Sequence, residues 1–140
     1  KMPFISSREY STFKIFRYAK DGYYAETTSE IIFADEKTGL KINVPKGFRT
    51  DFASVPKNFQ HIISPIGKHA QASVLHDYLY AKNSYASTIK AGGALKVSRK
   101  TADKIFYNAM RESSVNVVTA WIMWAMVRAF GFFSFHKREV

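Results

Sequence analysis

The hydrophobic period of the chain changes near Pro45, and this change constrains the fold more than any other feature. Just before it, Leu40–Val44 alternates apolar and polar residues, the pattern of a strand with one buried face. Two earlier runs, 13–18 and 23–33, are rich in β-branched and aromatic residues and are separated by the turn-forming pair Asp21-Gly22. We therefore expect an antiparallel β-meander in the first third of the chain.

After Pro45 the apolar residues recur at helical spacing. The pattern predicts one helix over 69–81, an exposed loop over 83–97, and a second helix from the N-cap Ser98 to about Glu112. The apolar stretch 115–135 predicts a third helix that ends near Gly131. The expected fold class is α+β, with an N-terminal antiparallel β-meander packed against about three C-terminal helices. We expect one domain over 1–140, strand-rich in 1–57 and helical in 65–135.

Length and composition limit the number of domains, the residues that could bind a metal and the kinds of partner. A chain of 140 residues has the size of one domain, and 46% hydrophobic residues suffice for a core. The absence of cysteine excludes disulfides, thiol catalysis, iron–sulfur clusters and Cys-ligated zinc, so any metal must be held by His, Asp or Glu. The net charge of +10 favours anionic partners, such as nucleic acid, lipid head groups or an acidic protein, without choosing among them.

Two segments bear on membranes and location. The first residues lack the apolar core of a signal peptide, which predicts synthesis in the cytoplasm. The stretch 115–135 is the one membrane candidate, but Arg128 interrupts it, which argues against integral insertion. We expect instead a largely buried helix whose large side chains pack on the domain, namely Trp121, Trp124, Met126 and Phe130.

Two polar clusters could carry chemistry. The first is the loop 47–56, in which Thr50, Asp51 and Ser54 serve either to form turn hydrogen bonds or to build a site. The second is His76-Asp77 with Tyr80 on the first predicted helix, either a hydrogen-bonded core cluster or a catalytic one. Adjacent helical residues diverge by about 100°, so we expect the two side chains of the His-Asp pair to face different partners and not to pair with each other.

Asp103 is a third candidate, because it lies at the edge of the apolar face of the second predicted helix. A carboxylate turned inward needs a partner, since burying it unpaired costs several kcal/mol. His76 or Tyr80 on the neighbouring helix is the expected partner.

Four motifs follow one another along the chain: Gly47-Phe48-x-Thr50-Asp51-Phe52-Ala53-Ser54-Val55-Pro56, Ala72-Ser73-Val74-Leu75-His76-Asp77-Tyr78-Leu79-Tyr80, Ser98-Arg99-x-x-Ala102-Asp103-x-x-Phe106-x-x-Ala109-Met110 and Val127-Arg128-x-Phe130-Gly131. Together they resemble the phage and prophage family numbered 1353 among domains of unknown function. The match covers most of the chain. The resemblance implies a bacteriophage origin and a late or virion-associated role, and it supplies no proven activity.

A second resemblance concerns mechanism. His76-Asp77-x-x-Tyr80 with the distal Asp103 is similar to the pattern of calcium-dependent phospholipases of the secreted and viral-capsid type. That similarity implies that His76 activates water, Asp77 holds calcium and Asp103 orients the histidine. The chain lacks the Gly-rich calcium loop of those enzymes, and Asp51 would substitute as a ligand. The metal, calcium or zinc, stays open.

The same His-Asp pair, with Asp103 and either His61 or His69, also resembles the metal-dependent phosphohydrolases named for that pair. Those enzymes are helical throughout, so the strand-rich first third argues against this similarity.

These observations leave three functions open. The leading hypothesis is a virion-associated structural or assembly protein, in a tail, baseplate or connector, made in the host cytoplasm and in contact with other virion proteins. In it the His-Asp cluster fixes the fold, and the basic surface contacts acidic neighbours, DNA or anionic lipid. The alternative is a small metal-dependent hydrolase, phospholipase-like, that acts on the host envelope during entry. A nucleic-acid-binding module is weaker, because the basic residues follow no single stripe.

Overall fold

The computed structural model describes residues 13–17, 23–50 and 70–136. Within them the chain forms seven strands, three α-helices and one 3₁₀ turn. The strands are β1 (Phe13–Arg17), β2 (Tyr23–Thr27), β3 (Ile31–Asp35), β4 (Leu40–Val44), β5 (Arg49–Thr50), β6 (Ala86–Thr88) and β7 (Gly92–Leu95). The helices are α1 (Ala70–Tyr80), α2 (Arg99–Glu112) and α3 (Val117–Phe130), followed by the 3₁₀ turn Gly131–Phe133.

The strands form two antiparallel sheets. In the first, β2 lies between β1 and β5; in the second, the order is β3, β4, β6, β7. The expected α+β arrangement of N-terminal strands and three C-terminal helices is therefore confirmed. The connections are more complex than a simple meander, because β5 returns to β2 and β6 joins β4 after the first helix.

The run 23–33 is not one strand. It breaks at Thr28, and its two halves, β2 and β3, belong to different sheets. The side chain of Thr27 explains the break, since its Oγ1 donates to the carbonyl of Pro45 at 2.8 Å and accepts from the amide of Phe48 at 2.9 Å. These bonds hold the end of β2 beside the 45–48 turn, so the chain must leave the first sheet there. The predicted turn at Asp21-Gly22 lies outside the described residues.

The expectation of a loop over 83–97 is wrong. Residues 86–95 form the hairpin β6–β7, which extends the second sheet through pairing of Leu40 with Thr88. Gly92 and Gly93 both have positive φ angles, which only glycine adopts readily, and they lie at the start of β7. Strands this short and rich in small residues carry no hydrophobic period that a sequence could show.

Helix α1 is the centre of the structure. Ten of its eleven residues are buried, and it packs against α2, β4 and β5. Helix α2 is amphipathic and begins at the predicted N-cap, where the Oγ of Ser98 accepts from the amide of Thr101 at 3.1 Å. This cap satisfies one of the amides that a helix N-terminus leaves without a partner.

Helix α3 ends at Gly131, as expected, but it is not largely buried. Its buried residues are Ala120, Met123 and Val127, whereas Trp121 is 59% exposed and Phe130 is 42% exposed. The apolar residues surround the helix, so the sequence does not show which narrow side faces the core. Among the described residues, no helix is both long and apolar enough to cross a bilayer.

A buried carboxylate also joins the second sheet to the helices. Asp35, at the end of β3, accepts a hydrogen bond from Asn108 Nδ2 on α2 at 3.0 Å. The same carboxylate accepts from the hydroxyl of Thr38 at 2.8 Å and from the amide of Lys37 at 3.2 Å. Asp35 therefore shapes the β3–β4 turn and fixes that turn to α2.

Candidate functional site

Asp103 is the centre of a polar cluster in which all three helices meet. Its side chain has no exposed surface. One carboxylate oxygen, Oδ1, lies 2.6 Å from His76 Nε2 and accepts from the Tyr80 hydroxyl at 2.5 Å. The other, Oδ2, accepts from Arg128 Nη1 at 2.8 Å. The expected contact of Asp103 with His76 or Tyr80 is confirmed, since the carboxylate contacts both.

Helical spacing explains how α1 supplies two of these partners. His76 and Tyr80 are four residues apart and lie on one face of the helix, with ring centroids 4.1 Å apart. On α2, Phe106 lies one turn beyond Asp103 and packs on the imidazole with a centroid distance of 4.6 Å. The aromatic rings thus enclose the carboxylate–imidazole contact and limit the rotation of both side chains.

The arginines of the cluster were not among the predicted site residues. Arg128 comes from α3, and Arg99 Nη1 lies 3.7 Å from Asp103 Oδ2 on the same helix. Arg99 also donates to the carbonyls of Val127 and Arg128, at 3.0 and 3.2 Å, and so binds the end of α3. Two signals pointed to them: Arg99 precedes Asp103 by four residues, and Arg128 interrupts an apolar helix, where a cation needs an anionic partner.

The charges in the cluster are set by competing effects. Burial raises the pKa of Asp103, but the hydrogen bonds and charge of His76, with the bonds from Tyr80 and Arg128, outweigh it and hold the pKa below its usual range. Burial lowers the pKa of His76, but Asp103 and Asp77 together outweigh it and raise the pKa. Burial, reinforced by Asp103, raises the pKa of Tyr80, so its hydroxyl stays a donor.

These charges define the tautomer of the histidine. An ionised Asp103 accepts hydrogen bonds and donates none, so His76 Nε2 must carry the proton that it donates. In the neutral ring, the basic nitrogen is then Nδ1. Asp103 therefore orients His76 and leaves Nδ1 as the atom that can take up a proton.

Asp77 lies on the Nδ1 side of the ring. Its Oδ1 is 3.7 Å from His76 Nδ1, and its Oδ2 accepts a hydrogen bond from the Thr50 hydroxyl on β5. His76 and Asp77 face different partners, Asp103 and Thr50, as expected. The expectation that they do not pair is wrong, because Asp77 can bond Thr50 through Oδ2 and still place Oδ1 near the imidazole. Asp77 and Thr50 are 4% and 0% exposed.

Four further predicted residues lie outside the described residues, namely Asp51, Ser54, His61 and His69. Asp51 follows Thr50 directly in the chain. Within the described ranges, no group of three or more His, Asp or Glu side chains could hold a metal ion. Ligation of calcium or zinc by Asp77 and Asp51 stays a prediction.

The fold and the cluster define a small α+β domain with a buried His–Asp pair held by tyrosine and two arginines. The chain belongs to the family of proteins of unknown function DUF1353, whose family model matches residues 25–127. The matched segment contains Thr50, the His-Asp pair and Asp103, and it ends one residue before Arg128.

A curated relative extends this comparison. The chain is 33% identical over 108 residues to the uncharacterized protein y4jT of Sinorhizobium fredii. The match covers 76% of this chain and 28% of y4jT, so the chain corresponds to about a quarter of that longer protein. No solved structure matches the chain.

Proposed function

We propose that the cluster is a hydrolytic site in which His76 is the general base. The observation that carries this proposal is the contact of Asp103 with His76 Nε2 and with the Tyr80 hydroxyl. A base that takes a proton from water needs one ring nitrogen protonated and held and the other basic. The orientation of His76 by Asp103 meets this requirement.

The reaction that fits is hydrolysis of a carboxylic ester. His76 Nδ1 takes a proton from water as the water oxygen bonds to the ester carbonyl carbon, and the imidazolium is stabilised by Asp103 and Asp77. The tetrahedral intermediate then expels the alkoxide, which takes that proton back from the ring. Because His76 is 1% exposed, this reaction requires opening of the structure beside Asp77 and Thr50.

The similarity to calcium-dependent phospholipases favours a phospholipid ester of the host envelope as substrate. The test is release of fatty acid from mixed phospholipid vesicles by the wild-type protein, with and without added calcium. We expect His76→Asn to abolish release. Asn108→Ala, which alters the separate polar cluster around Asp35, is the matched control and keeps the activity of its folded fraction. Equal rates for His76→Asn and wild type would refute the hydrolytic site.

A second candidate is a structural or assembly role in a phage particle, in the tail, baseplate or connector region. Burial of the cluster favours it: Asp103, His76, Tyr80, Asp77 and Thr50 are all at most 4% exposed. In this role the cluster fixes the three helices, and the partners are other virion proteins or DNA. The phage and prophage resemblance of the four motifs supports it further.

The two candidates predict different results for the same variants. For a structural cluster, wild type releases no fatty acid, and His76→Ala lowers the free energy of unfolding by about 1–3 kcal/mol. The protein should then be a constant component of purified phage particles by mass spectrometry. Its absence from the particles would contradict the assembly role.

A further inference from the structure

The solvent side of α3 is apolar along the whole helix. Opposite the buried line of Ala120, Met123 and Val127, helical spacing places a second set of side chains. We call these five residues the α3 apolar face: Val118, Trp121, Ile122, Ala125 and Ala129. Val118 is 61% exposed, Trp121 59% and Ile122 45%. Solvent therefore contacts apolar side chains on α3. On α2, by contrast, the exposed side chains include Lys100, Lys104 and Arg111.

Exposed aromatic residues also follow the C-terminal end of the helix. In the 3₁₀ turn after α3, Phe132 is 53% exposed and Phe133 is 66% exposed. Soluble proteins rarely expose large apolar side chains in such a group, and a group of this kind marks an interaction site.

The charges at the two ends of α3 and on the neighbouring helix α2 indicate the chemistry of the occupant. Arg111 lies at the N-terminal end of α3, where its Nη1 donates to the carbonyl of Val115 at 2.8 Å. Arg99 lies at the C-terminal end, on the carbonyls of Val127 and Arg128. Residues 99–136 contain five Lys and Arg side chains that reach solvent and two acids, of which Asp103 is buried and Glu112 is exposed. The five are Arg99, Lys100, Lys104, Arg111 and Arg128.

We propose that the α3 apolar face docks on an anionic lipid surface, with the helix lying along the membrane. Apolar side chains and tryptophan partition into the boundary between head groups and acyl chains, and flanking basic residues attract lipid phosphates. A second copy of the chain fits less well, because antiparallel pairing of two α3 helices would bring their arginine-flanked ends together. Docking does not depend on the proposed hydrolysis.

The test is flotation with vesicles of phosphatidylcholine, with or without phosphatidylglycerol. We expect binding to the anionic vesicles and little to the neutral ones. Trp121→Ser with Ile122→Ser should weaken binding about tenfold or more, because two apolar side chains no longer insert. The matched control is Tyr85→Ser with Ile89→Ser, at two residues outside α3 that are 56% and 43% exposed. It should leave vesicle binding unchanged.

Tryptophan emission locates the contact. The chain has two tryptophans, so Trp124→Phe leaves Trp121 as the single reporter. Its emission should move to shorter wavelength on anionic vesicles. Binding should also persist in His76→Asn, which separates docking from hydrolysis.

Three results would overturn the proposal. They are no wild-type binding to anionic vesicles, equal binding by the Trp121/Ile122 variant, and equal binding to neutral vesicles. If wild type is a dimer by sedimentation, and the same variant is a monomer while vesicles bind neither, the occupant is a second copy.

Discussion

Asp103 and Asp35 are both buried carboxylates in contact with the helical layer, yet their partners differ in kind. Asp103 lies among His76, Arg128 and Arg99, with Tyr80 as a further donor. Asp35 accepts from neutral groups, and most of its contacts lie within its own turn.

This difference separates two uses of a buried acid. The carboxylate of Asp35 organises a local turn that the backbone bond from Gly39 to the Asp35 carbonyl also supports. The carboxylate of Asp103 balances cationic side chains from separate helices, and those helices share it as an acceptor. Loss of the Asp103 charge therefore leaves cationic groups without their counter-ion, whereas loss of the Asp35 contact leaves neutral donors.

The largest expected effect comes from Asp103→Asn. It should lower the free energy of unfolding by about 3–5 kcal/mol, the usual cost of breaking a buried ion pair from one side. Urea unfolding measures this change. Asn108→Ala is the comparison at the other acid, and a cost for Asp103→Asn no larger than for that variant would contradict the distinction between the two acids.

Gly131→Ala should have the next largest effect, through the Tyr80 contact with Asp103. A Cβ at residue 131 would lie 2.6 Å from the Tyr80 hydroxyl, so the ring must move. We expect a loss of about 1–3 kcal/mol, as for other overpacked sites, measured by thermal unfolding. Adding Tyr80→Phe removes the clashing oxygen, so Gly131→Ala should cost less stability in the Tyr80→Phe background than in the wild type. An equal cost of Gly131→Ala in both backgrounds would show that the clash is not the cause.

A smaller effect is expected for Asn108→Ala. The change removes the hydrogen bond that joins Asp35 to α2 but leaves the turn contacts of Asp35 in place. We expect a loss of about 1–2 kcal/mol in urea unfolding. Thr38→Val, which removes a contact within the turn, is the control. If Thr38→Val lowered the free energy of unfolding more than Asn108→Ala, Asp35 would stabilise the domain mainly through its turn and not through its bond to α2.

The smallest effect should appear in the pH dependence of stability. His76 has a raised pKa when folded, so its contribution is full below 6.5 and is lost as the pH rises through the folded value. Asp103 has a lowered pKa, so its contribution is present above 3.8 and is lost as the pH falls through the folded value. The free energy of unfolding plotted against pH should therefore have an acidic limb from Asp103 and a neutral limb from His76. On each limb it can change by at most about 1.4 kcal/mol per pH unit.

Unfolding measured at several pH values tests this dependence. Asp103→Asn should flatten both limbs, because it removes one titrating group and the main cause of the raised pKa of the other. For Asn108→Ala, the free energy of unfolding should be lower at every pH, but its profile against pH should keep the wild-type shape. Identical profiles for Asp103→Asn and wild type would exclude the pair as the source of the pH dependence.

The sequence predicted those features that local spacing determines. Helical periodicity located α1 and α2, the Ser98 cap marked the start of α2, and the spacing of His76 and Tyr80 put both on one face. An acid on the inner edge of α2 then had few polar partners within reach, so its contact with them could be inferred. The alternation in β4 predicted its buried face correctly.

Features that depend on tertiary packing were beyond the sequence. Residues of β6 and β7 pair through backbone groups, so their side chains carry little signal. Helix α3 is apolar on all sides, and only packing selects which three residues are buried. The role of Arg128 depends on how α3 lies across α2, which no spacing within either helix determines.

The sequence separations of the Asp103 contacts bear on the order in which the domain folds. His76, Tyr80 and Arg128 lie 23 to 27 residues from Asp103, whereas Asn108 lies 73 residues from Asp35. Closing the longer loop costs about 1 kcal/mol more in chain entropy than closing one of the shorter loops. The three helices can therefore associate around Asp103 first, and the β3–β4 hairpin then docks on an already formed helical layer.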